Sequence, residues 1–187
     1  MSKFLIVGLG NIGDEYENTR HNIGFRILDT LAKENNIKFT TDKLAAVASY
    51  KFKGKTLILI KPSTYMNLSG KAVNYWMQAE KIQKENILVL TDDLALPFGA
   101  VRMKGKGSDG GHNGLKNIQE TLVTSEYARL RFGVGSEFSK GRQVDYVLGK
   151  WNTDEMKEMP FLIHKSVDAI ESFIFKGLPL TMSEFNK

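Results

Sequence analysis

The sequence predicts an α/β protein: one domain spanning residues 1–187, built on a twisted, mostly parallel (mixed) central sheet with helices on both faces. Three observations lead there. Phe4-Leu5-Ile6-Val7, Thr56-Leu57-Ile58-Leu59-Ile60 and Ile87-Leu88-Val89-Leu90 are short, unbroken apolar runs, the pattern of strands covered on both faces rather than one. Segments with helical spacing separate them, and strands alternating with helices give a sheet sandwiched between helical layers. Nothing resembles a linker: the chain has 4 prolines in 187 residues, no low-complexity tract and no fixed repeat, and it is long enough to bury a substantial core.

In chain order, the first run ends at Gly8 and a polar loop follows. Ile23, Ile27, Leu28 and Leu31 then recur at helical spacing to about Asn35. Ala45 to Lys53 alternates as a strand and turns back at Lys53-Gly54 into the second run. Val73, Trp76 and Met77 mark one face of a second helix. Ala100 to Met103 reads as a short strand, Asn113 to Val123 as a helix through Leu115, Ile118 and Leu122, and Arg129 to Val134 as a strand. Thr153 is the expected N-cap of a closing helix that includes Met156, Met159, Ile163, Val167, Ile170 and Ile174. Pro160 should kink that helix or delay its start.

Composition excludes several classes. The absence of cysteine removes disulfides, thiolate metal sites and thiol nucleophiles, and fits a reducing compartment. No apolar run is long enough to span a bilayer and no signal-peptide pattern opens the chain, so a cytoplasmic protein free of membranes is expected. The net charge of +5 is modest, but Arg102, Lys104, Lys106, Lys116, Arg129, Arg131, Lys140 and Arg142 gather in one stretch. Folded into a patch, they would attract phosphates; a solvated basic face explains the charge equally well.

Gly8-Leu9-Gly10-Asn11-Ile12-Gly13 matches the dinucleotide fingerprint G-x-G-x-x-G. That motif needs a helix opening within it. Here Asp14-Glu15-Tyr16-Glu17-Asn18-Thr19-Arg20 follows, without apolar periodicity and with three acids, and the helix begins only near His21 or Asn22. The ribose-binding acid is also missing, since the next strand ends Lys51-Phe52-Lys53. The glycines are read instead as a tight turn that lets Asn11 approach a substrate. Gly54-Lys55-Thr56 resembles the end of a P-loop, but Ser49 stands where the first glycine is required. No G-x-S-x-G elbow is present, and three histidines without an H-x-x-x-H pair give no zinc pattern.

What remains is His21 at a helix start, Asp92 at the end of an apolar strand, and Asn11, Asn67 and Asn113. Ligands of such sheets bind beyond the carboxyl ends of the strands, so Asn11, Tyr65 to Asn67 and Asp92 should converge. A helix N-terminus favours neutral imidazole, and a carboxylate on one ring nitrogen would leave the other free to take a proton from water. Asparagine amides can hold a carbonyl or its oxyanion. Singly, each residue has a plainer explanation as a cap, a turn former or a surface group; together they would have to meet at one sheet edge by coincidence. His164 has only the plain reading.

Along essentially its whole length the chain is similar to the bacterial-type peptidyl-tRNA hydrolase family. The resemblance lies in Val7-Gly8-Leu9-Gly10-Asn11, Thr19-Arg20-His21-Asn22-Ile23-Gly24, Lys61-Pro62, and Tyr65-Met66-Asn67-Leu68-Ser69-Gly70. It continues through Asp92 with Leu96-Pro97, Gly110-Gly111-His112-Asn113-Gly114-Leu115, and Arg129-Leu130-Arg131-Phe132-Gly133-Val134-Gly135. It implies hydrolysis of the ester between a peptide and its tRNA, with peptidyl-tRNA as partner, His21 as proton acceptor and Asp92 keeping it basic. It implies that Asn11 helps reject free aminoacyl-tRNA, that Tyr16, Tyr65, Met66, Asn67 and Asn113 belong to the substrate site, and that Lys104 and Arg131 clamp the 5′ phosphate. No cofactor and no metal are expected, and a monomer is. Tyr65 departs from the family's frequent phenylalanine, and Thr91-Asp92-Asp93 from its common His-Asp-Glu, which leaves Asp93 open as a rival to Asp92. The competing readings are a non-catalytic RNA-binding domain, which would not need His21 and Asp92, and a nucleotide-dependent oxidoreductase, which fails on the missing helix and acid.

Overall fold

The computed structural model describes residues 2–187. Its strands are β1 (Lys3–Gly8), β2 (Thr40–Asp42), β3 (Ala45–Phe52), β4 (Lys55–Pro62), β5 (Ile87–Asp93), β6 (Val101–Lys104) and β7 (Ala128–Gly133). They form one sheet in the order β2-β3-β4-β1-β5-β7-β6. The central β4, β1, β5 and β7 run parallel, and antiparallel strands finish both margins.

The unbroken apolar runs occupy the centre because both of their faces are covered. Phe4, Ile6, Leu57, Leu59, Leu88 and Leu90 pack with the helices α1 (Ile23–Glu34) and α5 (Thr153–Lys176). Their neighbours Leu5, Val7, Ile58, Ile60, Ile87 and Val89 face α2 (Ser69–Ala79) and α3 (Asn113–Leu122). Successive side chains point to opposite faces, so each strand serves two cores at once. At the β3–β4 turn Lys53 and Gly54 have φ of 47° and 82°, the double positive φ of a two-residue hairpin turn whose twist suits the flanking strands.

The glycines after β1 act differently from the tight turn expected of them. A Cβ on Gly8 would stand 2.4 Å from the carbonyl oxygen of Gly24, and one on Gly24 would stand 2.4 Å from the Leu9 nitrogen. Neither residue has positive φ. They let α1 rest directly against the end of β1, bringing the turn that carries His21 beside Asn11. Of Gly8, Gly10 and Gly13, Gly13 alone has positive φ, at 114°.

The closing helix corrects two expectations. Its N-cap is Asn152, not Thr153: Asn152 accepts the Glu155 N–H at 2.8 Å while Glu155 accepts the Asn152 N–H at 2.9 Å, a capping box. Pro160 does not delay it, for α5 runs unbroken from Thr153 to Lys176. Three elements had no sequence expectation: β2, α4 (Gln143–Val147) and α6 (Leu178–Phe185). Among the described residues, no helix is long and apolar enough to cross a membrane.

Candidate active site

The ends of three parallel strands deliver the site. The segment after β1 supplies Asn11, that after β4 supplies Met66 and Asn67, and β5 ends in Asp92 and Asp93. The first two are joined directly: Met66 N–H donates to Asn11 Oδ1 at 2.7 Å. Asn22 holds the Asn11 main chain from both sides, accepting its N–H at 2.8 Å and donating to its carbonyl at 2.8 Å. Among the described residues the Asn11 Nδ2 has no protein partner, so both its protons are available to a substrate.

Asp92 is buried between two histidines. His21 Nδ1 lies 2.9 Å from Oδ2, and His112 Nε2 lies 2.8 Å from Oδ1; the two rings stand 4.9 Å apart. The hydrogen bonds assign both tautomers. His112 caps α3, its Nδ1 accepting the N–H groups of Gly114 and Leu115 at 3.1 and 3.3 Å. A nitrogen that accepts cannot also carry the proton, so the His112 proton is on Nε2 and points at Asp92. His21 likewise gives its Nδ1 proton to Asp92, which leaves Nε2 bare on the side away from the carboxylate. Burial works against a charged His21, but the nearby carboxylate outweighs it through charge and hydrogen bond, and the pKa rises above its ordinary value. Burial also penalises the Asp92 carboxylate; the two histidines overcome that and hold it well below the usual range.

The same three side chains bring possible ligand atoms within 4.8 Å of one another. An ion among them would move the His112 proton to Nδ1, against the two N–H groups that Nδ1 now accepts. The cap and the ion are alternatives, and the residues suit a hydrogen-bonded relay better.

Asp93 does not compete with Asp92 for His21. One of its oxygens accepts the Ala95 N–H at 2.8 Å and the other lies 3.6 Å from Arg131.

These groups line a cavity of about 520 Å³. We call the lining group around Asp92 (His21, Asp92, Asn11, Met66, and the exposed Asn67 and Asn113) its floor, and Val144, Val147 and Leu148 add apolar lining. Lys104 and Arg131, both half-buried, line it as well, and we call this basic pair its rim. Tyr16 and Tyr65 lie outside the lining: Tyr16 is half-buried in the loop after β1, and Tyr65 is exposed beside Met66. A larger cavity of about 650 Å³ lies nearby, but Glu137, Asp154, Glu155 and Glu158 on its wall would repel a phosphate.

The basic cluster is not uniform. Arg129 is fully buried and donates to the carbonyls of Gly107 and Ser125 at 3.2 and 2.6 Å, with its guanidinium over the Tyr127 ring. It is a strut for the loop after β6 more than a phosphate ligand. Burial, with smaller repulsion from Arg131 and Arg129, lowers the Lys104 pKa. His112, Asn22 and the buried Arg20 were missed as site-forming residues. Arg20 meets Glu155 at 3.0 Å and the Tyr146 carbonyl at 3.1 Å, tying the His21 turn to α4 and α5. The sequence signals for His112 were its place within the motif at residues 110–115 and just before a helix, where a side-chain acceptor is wanted.

Known proteins resemble this chain along almost its whole length. The family model described as peptidyl-tRNA hydrolase matches residues 5–187. The chain is 57% identical over 185 residues to a peptidyl-tRNA hydrolase of Phocaeicola vulgatus, covering 99% of each chain. It is 44% identical over 183 residues to that of Bacillus subtilis, covering 97% of each. A crystal structure of peptidyl-tRNA hydrolase from Acinetobacter baumannii superposes with a TM-score of 0.92 at 35% identity, covering 98% of this chain and 94% of that one. A nearly full-length match in both sequence and fold has one reading: the chain belongs to the peptidyl-tRNA hydrolase family.

Proposed function

We propose that this chain hydrolyses the ester joining a peptide to its tRNA in peptidyl-tRNA released prematurely from ribosomes, with His21 as general base, and so returns the tRNA to use. The supporting observation is the bare Nε2 of His21 beside the cavity, with Nδ1 bonded to Asp92.

Water enters between His21 and the amides. His21 Nε2 takes its proton as the oxygen attacks the ester carbonyl carbon, and Asp92 steadies the imidazolium that forms. The Asn11 Nδ2 protons, with the amides of Asn67 and Asn113, hold the carbonyl oxygen as it becomes an oxyanion and hold the adjacent peptide backbone. On collapse the carbon–oxygen bond to the ribose breaks, His21 returns its proton to the departing ribose oxygen, and a tRNA hydroxyl and a peptide carboxylic acid result; the acid then loses water's second proton to solvent to become a carboxylate. An ester's alcohol leaves more readily than an amine, so one base with amide donors suffices and no cofactor is needed. Lys104 and Arg131, on the rim, hold the 5′ phosphate. A cytoplasmic monomer is the state in which we expect the protein to act.

The test is hydrolysis of peptidyl-tRNA and free aminoacyl-tRNA by the purified protein and its His21→Ala variant. We expect the blocked substrate to be cut far faster than the free one. The variant should lose about a thousandfold in kcat, within the range a general base supplies, while still binding tRNA. Near-normal turnover by His21→Ala would defeat the assignment. Tight tRNA binding without hydrolysis by the unaltered protein would instead favour a binding module.

A further inference from the structure

β6 is the outermost strand on its side of the sheet, paired only with β7. An edge strand presents main-chain groups that no neighbouring strand satisfies. At Met103 both are satisfied by a single side chain: the Met103 N–H donates to Asn186 Oδ1 at 2.8 Å, and Asn186 Nδ2 donates to the Met103 carbonyl at 2.7 Å. The asparagine amide does what a residue of an eighth strand would do. This is the same two-sided grip that Asn22 places on Asn11 in the catalytic floor.

Asn186 is itself held. It follows α6, and its N–H donates to the Met182 carbonyl at 3.0 Å. The Thr181 hydroxyl fixes α6 to α5 by meeting Ser172 at 2.8 Å and the Gly177 carbonyl at 2.8 Å. At the other end of α6, Leu178 packs so closely on Gly105 that a Cβ there would lie 2.6 Å from it. The helix therefore brackets the end of β6, gripping Met103 on one side of Lys104 and pressing on Gly105 at the other. Lys104 is the rim cation between them, and its ammonium lies close over Gly107. A lysine has a long, flexible stem, so its aim depends on how firmly its backbone is fixed.

We propose that Asn186 is a positioning residue for tRNA binding: by clamping Met103 it fixes the Lys104 backbone and so aims the rim ammonium at the substrate's 5′ phosphate. The inference rests on the phosphate role proposed above for Lys104. Asn186 is remote from the ester chemistry and touches no residue of the floor, so its effect falls on binding and not on turnover.

The experiment measures kcat and KM for Asn186→Ala, Lys104→Ala and the double variant. Each is assayed on peptidyl-tRNA with its 5′ phosphate and on the same tRNA after phosphatase treatment, and exchange of the Met103 amide proton is followed in parallel. We expect Lys104→Ala to raise KM by about tenfold, the scale of one lost phosphate contact, and Asn186→Ala to raise it by about threefold, with kcat intact and Met103 exchange faster. Removing the 5′ phosphate should erase both differences, and Asn186→Ala should add nothing in the Lys104→Ala background. A KM rise from Asn186→Ala that persists without the phosphate, or a fall in its kcat, overturns the proposal. If Lys104→Ala discriminates the two tRNAs and Asn186→Ala does not, the clamp alone is refuted. If Lys104→Ala is indifferent to the phosphate, the phosphate reading falls and the clamp's role falls with it.

Discussion

The floor and the rim of the cavity are built on different principles. On the floor, Asp92 is buried and each hydrogen bond of its carboxylate is to a histidine whose other contacts are also fixed: His112 by the α3 cap, His21 by a turn held through Arg20. The rim consists of partly exposed cations near a sheet edge, with Arg131 only loosely paired to Asp93 at 3.6 Å and Lys104 dependent on the strand beneath it. Buried charges must have fixed partners or they are too costly to keep. Surface cations carry little desolvation cost and can stay mobile and screened by salt. Chemistry needs the first kind of group, in one place. Capture of a large polyanion tolerates the second.

The largest break in this contrast should come from Asp92→Asn. It keeps the shape of the floor but removes the charge that opposes burial at His21, so we expect kcat/KM to drop by about a hundredfold. The sign of the pH effect follows. Asp92 raises the His21 pKa, so without the carboxylate the burial penalty dominates and the basic rise of the pH–rate profile should shift to lower pH. An inflection unmoved or shifted upward would show that Asp92 does not set the basicity of the ring.

His112→Ala should have a smaller effect of a mixed kind. Losing one of two donors to Asp92 should reduce kcat by about tenfold, and losing the α3 cap should cost about 1 kcal/mol in stability by thermal or denaturant unfolding. A change in stability alone would make His112 a cap and nothing more. The smallest effect on tRNA binding is expected from Arg129→Ala, despite its place in the basic cluster. It should lower stability by about 1–3 kcal/mol, because the half-buried carbonyls of Gly107 and Ser125 lose their donor, while changing the salt dependence of tRNA binding by much less than Lys104→Ala does. A slope reduced by about 1 on the log–log salt plot would put Arg129 among the phosphate ligands after all.

Much of the floor was legible in the chain because its residues sit where strands end, and apolar runs locate strand ends well. Asn11, Asn67 and Asp92 follow from that rule alone. The choice of Asp92 over Asp93 did not, since adjacent strand residues look alike until the sheet decides which face each side chain takes. His112 was hidden for a related reason: its partners at Asp92 and His21 are remote in sequence, and its own neighbourhood shows only a glycine-rich turn before a helix. Arg129 and Lys104 both counted as cations, and only packing separated the buried strut from the rim group. The short β2, α4 and α6 offer too few residues for periodicity to register.

The sequence by itself determined the α/β layering, the strands at the centre of the sheet and the family resemblance, because these rest on local patterns of apolar spacing and on ordered motifs. Tertiary structure alone decided which carboxylate meets His21, which histidine tautomers exist, and which asparagines serve as clamps, since each is a contact between segments far apart in the chain. Hydrogen-bond partners are set by where backbones pass one another, and that is a property of the packed sheet rather than of any stretch of sequence.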